Sequence, residues 1–269
     1  MQKWRLVIDE PLSGAMNMAV DEAIMLAVSR GTTEPTVRFY QWSVPTITLG
    51  YFQSFDKEVD SDRCSKLGVD VVRRLTGGRA VLHHHELTYS VVVPENNRVV
   101  KGTVLQTYLT ISRGLVSGLR KLGIPAEISD GKKVYESSAA CFDSPSRYEI
   151  TAMGKKLIGS AQTRRGNCIL QHGSVVIEDT ADLLISCLKF KDEQSRQKAA
   201  RSFVSNATSL ASVLGSPPGF RNIAEFLTKS FSSEMGVSLI PQQLSDAEIT
   251  EARDLCRAKY DIDEWNLRR

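Results

Sequence analysis

The 269-residue sequence has no apolar run approaching the roughly 18 residues that a membrane span needs, and its opening stretch, "MQKWRLVIDE", has no apolar centre of signal-peptide length. A cytoplasmic protein is expected. Paired CxxC cysteines are missing too: Cys64, Cys141, Cys168, Cys187 and Cys256 are an odd, scattered set, which argues against a disulfide framework and against a zinc site. Of only four histidines, His83, His84 and His85 are consecutive, and on an extended segment they point to alternating faces and cannot all address one ion. No metal is expected. Charge of one sign is also lacking. The 34 basic and 31 acidic residues leave a net charge of +3, too little for a nucleic-acid footprint, and no basic stripe is interleaved with aromatics. Low-complexity segments and internal repeats are absent, and 42% hydrophobic with 24% charged residues is the composition of an ordinary globular protein with a substantial core.

The hydrophobic patterning outlines the elements. "KWRLVID" reads as a strand, and 13–29 as a helix with Met16, Val20, Ala23, Ile24 and Ala27 on one stripe. "TVRFYQW" and "TITLG", joined through Pro45, read as a hairpin. "GVDVVRR" and "ELTYSVVV" are strands around a glycine-containing loop. A long helix should start at Thr103, with Gln106 completing a capping box, and end near Gly123-Ile124-Pro125. "RYEITAM" and "KKLIGSA" should form strands about a turn at Gly154, followed by a strand at "HGSVVIE". From about Asp179 the period is helical, with a second capping box at Ser245 and Glu248. Strands first and helices later predict one α+β domain over 1–269: a mostly antiparallel or mixed sheet flanked by helices, with a helical C-terminal portion.

Three places could carry chemistry. In "RRLTGGRAVLHHHELTYS", Gly77 and Gly78 let backbone N–H groups approach a ligand, while Arg73, Arg74 and Arg79 can supply charge to a phosphate or carboxylate; a hairpin loop with solvated arginines accounts for the pattern equally well. The loop is neither a P-loop nor a dinucleotide fingerprint, since it lacks the GK[ST] ending and a following helix. His83 lies nearest the glycines and could contact a substrate, whereas His84 and His85 read as surface or core residues. Cys141, in the polar stretch "AACFDSPSRYE", is either a packing residue or a nucleophile. Lys155 and Lys156 follow it, and an ammonium held beside a thiol in a partly desolvated pocket favours the reactive thiolate. A cysteine–lysine pair suits acyl transfer. The small residues Gly159, Ser160 and Ala161 would let a long ligand lie against a strand, or simply allow close packing.

Taken in order, "RRLTGGRAVLH", "LTYSVVVPE", "AACFDSPSRYE" and "GKKLIGSAQTR" with "LQHGSVVI" closely resemble the octanoyltransferases of the LipM type, within the biotin-ligase, lipoate-ligase and LipB superfamily. The likeness covers roughly residues 30–250. It implies a biotin/lipoate protein ligase-like α+β domain that carries octanoate from octanoyl-acyl carrier protein to a lysine of a lipoyl domain, the H protein of the glycine cleavage system. It also implies Cys141 as the acyl-thioester nucleophile, Lys156 as the residue that lowers its pKa, and Arg74, Thr76, Gly77, Gly78, His83, Gly159 and Ser160 as the acyl pocket. No ATP, magnesium or other cofactor is implied. Two related activities share the pattern, namely amidotransfer between lipoyl domains and ATP-dependent lipoate ligation. The ligases typically carry a third glycine where this chain has Arg79 and do not depend on a cysteine at position 141. Many relatives carry acidic residues where this chain has His84 and His85.

Overall fold

The computed structural model describes residues 1–129 and 148–268. Its strands, in chain order, are β1 (Gln2–Ile8), β2 (Thr36–Tyr40), β3 (Thr46–Leu49), β4 (Asp70–Arg73), β5 (Val81–His83), β6 (Glu86–Pro94), β7 (Ala126–Ile128), β8 (Ile150–Ala152), β9 (Lys155–Arg165), β10 (Cys168–Val176) and β11 (Val237–Pro241). The helices are α1 (Gly14–Arg30), α2 (Phe55–Glu58), α3 (Ser61–Lys66), α4 (Val104–Lys121), α5 (Ala181–Cys187), α6 (Glu193–Asn206), α7 (Leu210–Leu214), α8 (Phe220–Met235), α9 (Asp246–Leu255) and α10 (Asp263–Asn266), with a π-helical turn at Cys256–Tyr260.

Local chemistry sets many of these boundaries. Ser13 accepts from the Met16 N–H to start α1, and Gly31, at φ 70°, ends it in the left-handed conformation. Both capping boxes form, Thr103 with Gln106 at α4 and Ser245 with Glu248 at α9. Between β8 and β9, Met153 and Gly154 both have positive φ (52° and 74°), the pattern of a two-residue type I′ turn.

Eight strands form one mixed sheet in the order β11-β1-β2-β6-β10-β9-β8-β7, in which β1 runs parallel to β11 and β2 and the remaining pairs are antiparallel. Helices α4 and α8 bury one face through Leu115, Leu119, Leu227 and Phe231. Helix α1 packs on the other face with α9, and the buried bidentate pair Arg5–Glu248 (2.6 and 2.7 Å) ties α9 to β1. A second sheet, β4-β3-β5, builds its own core with residues of α2, α3, α5 and α6. The expected α+β architecture with a mixed sheet is what forms.

Three elements differ from the sequence expectation. The runs "TVRFYQW" and "TITLG" are not a hairpin: β2 pairs with β1 and β6, whereas β3 pairs with β4 and β5. Pro45 has no N–H for a ladder, and the chain there crosses from the large sheet to the small one. The loop between β4 and β6 contains a further strand, β5, only three residues long and too short to show a period. Strand β11 interrupts the C-terminal helices because β1 would otherwise leave its outer edge unpaired.

Candidate functional site

The site lies against the face of the large sheet that carries α1, at one end of β9, and a β-bulge decides what points into it. Ile150 pairs with Ile158 but Thr151 pairs with Lys156, so Leu157 is the extra residue. Leu157 and Ile158 both join the core under α4 and α8. Cross-strand partners share a face, which places Lys156 and Gly159 together on the opposite side. Lys156 is 4% exposed, and its Nζ lies 2.5 Å from Oε1 of the buried Glu149. Its carbonyl accepts from the Thr208 N–H (2.9 Å), anchoring the connection between α6 and α7 to β9. Lys155 turns the other way, donating to the carbonyl of Val204 (2.9 Å).

Cys141 lies outside the described residues. The residues on either side of 130–147 meet: the Ser129 N–H donates to the carbonyl of Glu149 (2.8 Å), and the Tyr148 N–H to that of Ser129 (3.2 Å). Both ends of the segment carrying Cys141 are thus tied to the backbone at Glu149, the residue whose carboxylate pairs with Lys156. Cys64, Cys168 and Cys187 are buried in the cores, and burial pushes the Cys168 thiol above its ordinary value.

A narrow cavity of about 50 Å³ follows the same sheet face, walled by Met18, Tyr40, Trp42, His83, His172 and Gly159 among others. Six of the residues singled out in the sequence, Arg74, Gly78, His83, Gly159, Ser160 and Ala161, line it directly. Thr76 sits one contact behind, bonded to His172, and Gly77 supplies a carbonyl to Arg74 (2.8 Å). Of the lining residues, Ser160 has its hydroxyl turned to accept from Tyr89 (2.8 Å) in the core under α4 and α8. His85 is exposed and His84 partly so, the surface option of the sequence reading. Among the described residues, no three His, Cys, Asp or Glu side chains group as a metal site, and no helix is long and apolar enough to cross a membrane.

Arg74 does not offer charge to a ligand. Its Nε donates to Thr76, its Nη1 to the carbonyl and hydroxyl of Thr48, and its Nη2 to the carbonyls of Gly77 and Arg79, all at 2.8–3.1 Å. These bonds engage every N–H of the guanidinium, which is therefore the frame of the glycine loop. Two hydrogen-bond chains leave it. One runs through Thr48 to His83 Nε2 (2.8 Å) and from His83 Nδ1 to Glu86 (2.7 Å). The other runs through Thr76 to His172 Nε2 (2.7 Å) and from His172 Nδ1 to Asp21 (3.4 Å). Each threonine hydroxyl accepts from Arg74, and the Thr76 hydroxyl donating to His172 Nε2 leaves that ring neutral with its proton on Nδ1. Burial holds His172 below its ordinary pKa, in keeping with that assignment. Burial would raise the Asp21 carboxyl, but the His172 hydrogen bond and the Arg38 charge outweigh it and hold it below the usual carboxylate range. Arg38 reaches Asp21 at 2.9 Å and Asp9 at 2.6 Å, and Tyr40 donates to Asp21 at 3.0 Å.

The loop also dictates its glycines. Gly78 has φ 97°, and a Cβ there would meet Arg74 Nη2 at 2.8 Å. A Cβ on Gly50 would lie 2.0 Å from the carbonyl oxygen of Gly78, whereas one on Gly77 finds nothing closer than Phe52 at 3.9 Å. Gly50→Ala should therefore destabilise at or beyond the upper end of the about 1–3 kcal/mol typical of overpacking, and Gly77→Ala by less than about 1 kcal/mol. Urea midpoints of the two variants check the contrast. Asp21, Trp42, Glu86 and His172 were not singled out in the sequence. The available signals were an acid inside the apolar stripe of α1 and a histidine within the apolar run "LQHGSVVI".

Comparison with known proteins agrees with this geometry. The profile of the lipoyl protein ligase A/B catalytic domain matches residues 13–232. Octanoyltransferase LipM of Brevibacillus brevis is 45% identical over 276 residues, covering 100% of both chains, and that of Carboxydothermus hydrogenoformans is 46% identical over 268 residues with the same coverage. Among solved structures, a bipartite lipoate protein ligase from Thermoplasma acidophilum, studied with its E2 lipoyl domain, superposes with a TM-score of 0.83 at 27% identity, covering 100% of this chain and 98% of that one. The chain belongs to the lipoyl protein ligase A/B catalytic domain family and, within it, to the octanoyltransferases of the LipM type.

Proposed function

We propose that this acyltransferase takes octanoate from octanoyl-acyl carrier protein and passes it to a lysine of a lipoyl domain, the glycine cleavage H protein, through a thioester on Cys141. The observation that carries the reading is the buried ammonium of Lys156, turned by a bulge onto the sheet face that the narrow cavity follows and next to both ends of the segment bearing Cys141. The relatives' name, octanoyltransferase LipM, and the lipoyl domain studied with the Thermoplasma ligase support the acyl group and the acceptor class.

The steps balance without an oxidant or a nucleotide. The Cys141 thiolate attacks the donor thioester carbonyl, a new C–S bond forms, and the carrier's thiol leaves with a proton. The acceptor lysine amine then attacks the enzyme thioester, the C–S bond breaks, an amide forms, and Cys141 departs as thiolate. Lys156 stabilises that thiolate and passes the proton, and Glu149 holds the ammonium in place. The thioester conserves acyl activation until the amide forms. Thr76, Gly77, Gly78, His83, Gly159 and Ser160 shape the acyl cavity, with Arg74 framing the loop.

Incubation with octanoyl-acyl carrier protein followed by intact mass measurement should show a hydroxylamine-labile octanoyl adduct that Cys141→Ala abolishes. Octanoylated H protein offered alone should leave the cysteine unlabelled; labelling from that source and not from the carrier protein would identify an amidotransferase. Lipoate-dependent exchange of pyrophosphate into ATP would instead identify a ligase.

A further inference from the structure

The depth of the cavity is set by the strand register. Gly159 pairs with Ser174, Ser174 with Thr88, and Thr88 with Tyr40, so these residues form one row across β9, β10, β6 and β2 on a single face. All four line the cavity. Side-chain size grows along the row, from a hydrogen at Gly159, through the hydroxyls of Ser174 and Thr88, to the ring of Tyr40. With strands about 4.8 Å apart, Thr88 lies about 10 Å from Gly159 and Tyr40 about 14 Å. An extended octanoyl chain, advancing about 1.25 Å per carbon–carbon bond, spans about 9 Å from carbonyl carbon to methyl. A chain entering over Gly159 ends over Thr88, one strand short of Tyr40.

The end wall is fixed by hydrogen bonds. Trp42 Nε1 donates to Thr88 Oγ1 (2.7 Å), the Trp42 ring stacks on His83 with centroids 4.2 Å apart, and the Tyr40 hydroxyl donates to Asp21 (3.0 Å). Met18 of α1 belongs to the same apolar cluster as Tyr40 and Trp42 and also faces the cavity. Its thioether carries no polar hydrogen, so trimming it orphans no donor, unlike trimming either ring. Resting on the proposed function, which puts the thioester at the Lys156 end of β9, we infer that Tyr40, Trp42 and Met18 form the stop that limits the transferred chain to octanoyl length, with Met18 as its adjustable part.

The test uses the full-length protein and acyl carrier protein loaded with hexanoyl, octanoyl, decanoyl or dodecanoyl groups, with kcat/KM for transfer to the lipoyl domain as readout. The wild type should prefer octanoyl to dodecanoyl by about tenfold or more, the scale of discrimination that apolar pockets reach per methylene. Met18→Ala should raise the decanoyl-to-octanoyl ratio by about tenfold, and Met18→Phe should shift preference towards hexanoyl. Met18→Val, a milder truncation, should move the ratio in the same direction as alanine and serves if the alanine variant does not fold. An unchanged decanoyl-to-octanoyl ratio in a folded Met18→Val or Met18→Ala variant, or a wild type indifferent to chain length, overturns the stop while leaving octanoyl transfer intact. A wild type that transfers no chain of any length overturns the proposed function and the stop with it.

Discussion

Lys156→Met should lower octanoyl transfer by roughly 10²–10⁴-fold, the range of a positioned proton-transfer group, while leaving the cavity's volume nearly unchanged. Methionine keeps the length and apolar stem of lysine but not its charge. The same change strips Glu149 of the partner its carboxylate touches at 2.5 Å in a buried setting, which should cost about 3–5 kcal/mol of stability. The two consequences separate in a double variant. Lys156→Met with Glu149→Gln removes both charges, so the thermal midpoint should recover most of the loss while transfer stays low. Lys156→Arg should also be impaired, because a planar fork cannot replace a compact ammonium in a buried site beside Glu149. Single-turnover acylation by octanoyl-acyl carrier protein, measured alongside thermal unfolding, reads both quantities. A folded Lys156→Met enzyme acylating within threefold of the wild type would remove the lysine from the chemistry.

The bulge that aims Lys156 explains what the sequence could and could not disclose. "KKLIGSA" reads as a strand because its neighbours are apolar, and Gly154 marks the turn before it. Strict alternation would put Lys156 and Ile158 on one face; the register shift at Ile150/Thr151 puts them on opposite faces. Such a shift depends on pairing with another strand, which no local pattern records. Caps were readable for the opposite reason, since Thr103 with Gln106 and Ser245 with Glu248 act within four residues. The β2–β3 connection failed as a hairpin because partner choice between two sheets is a long-range matter. The residues around Asp21 were concealed likewise. Asp21 and Arg38 each look out of place in an apolar element until the structure shows them 2.9 Å apart.

Asp21→Leu should destabilise the protein by about 3–5 kcal/mol, the usual cost of removing one member of a buried ion pair, and lower the thermal midpoint by roughly 6–20 °C. Asp21 accepts from Arg38, Tyr40, Ser90 and His172, and leucine would leave these donors facing an apolar side chain. Asp9 still holds Arg38 at 2.6 Å, which keeps the loss towards the lower part of that range. Asp21→Asn should cost less, since its amide oxygen can still accept from Arg38. The pH dependence follows from two lowered pKa values. His172 is neutral when folded, so once pH falls below about 6.5 the unfolded chain takes up a proton that the folded one does not, and stability declines. Asp21 adds a second decline below about pH 4, where the unfolded carboxyl protonates before the folded one. Both slopes have the same sign, and the His172 slope begins before the surface carboxylates titrate. Urea unfolding at pH 7.5 and 5.5 checks the first slope. His172→Phe should flatten it, and a slope unchanged in that variant would place its origin elsewhere.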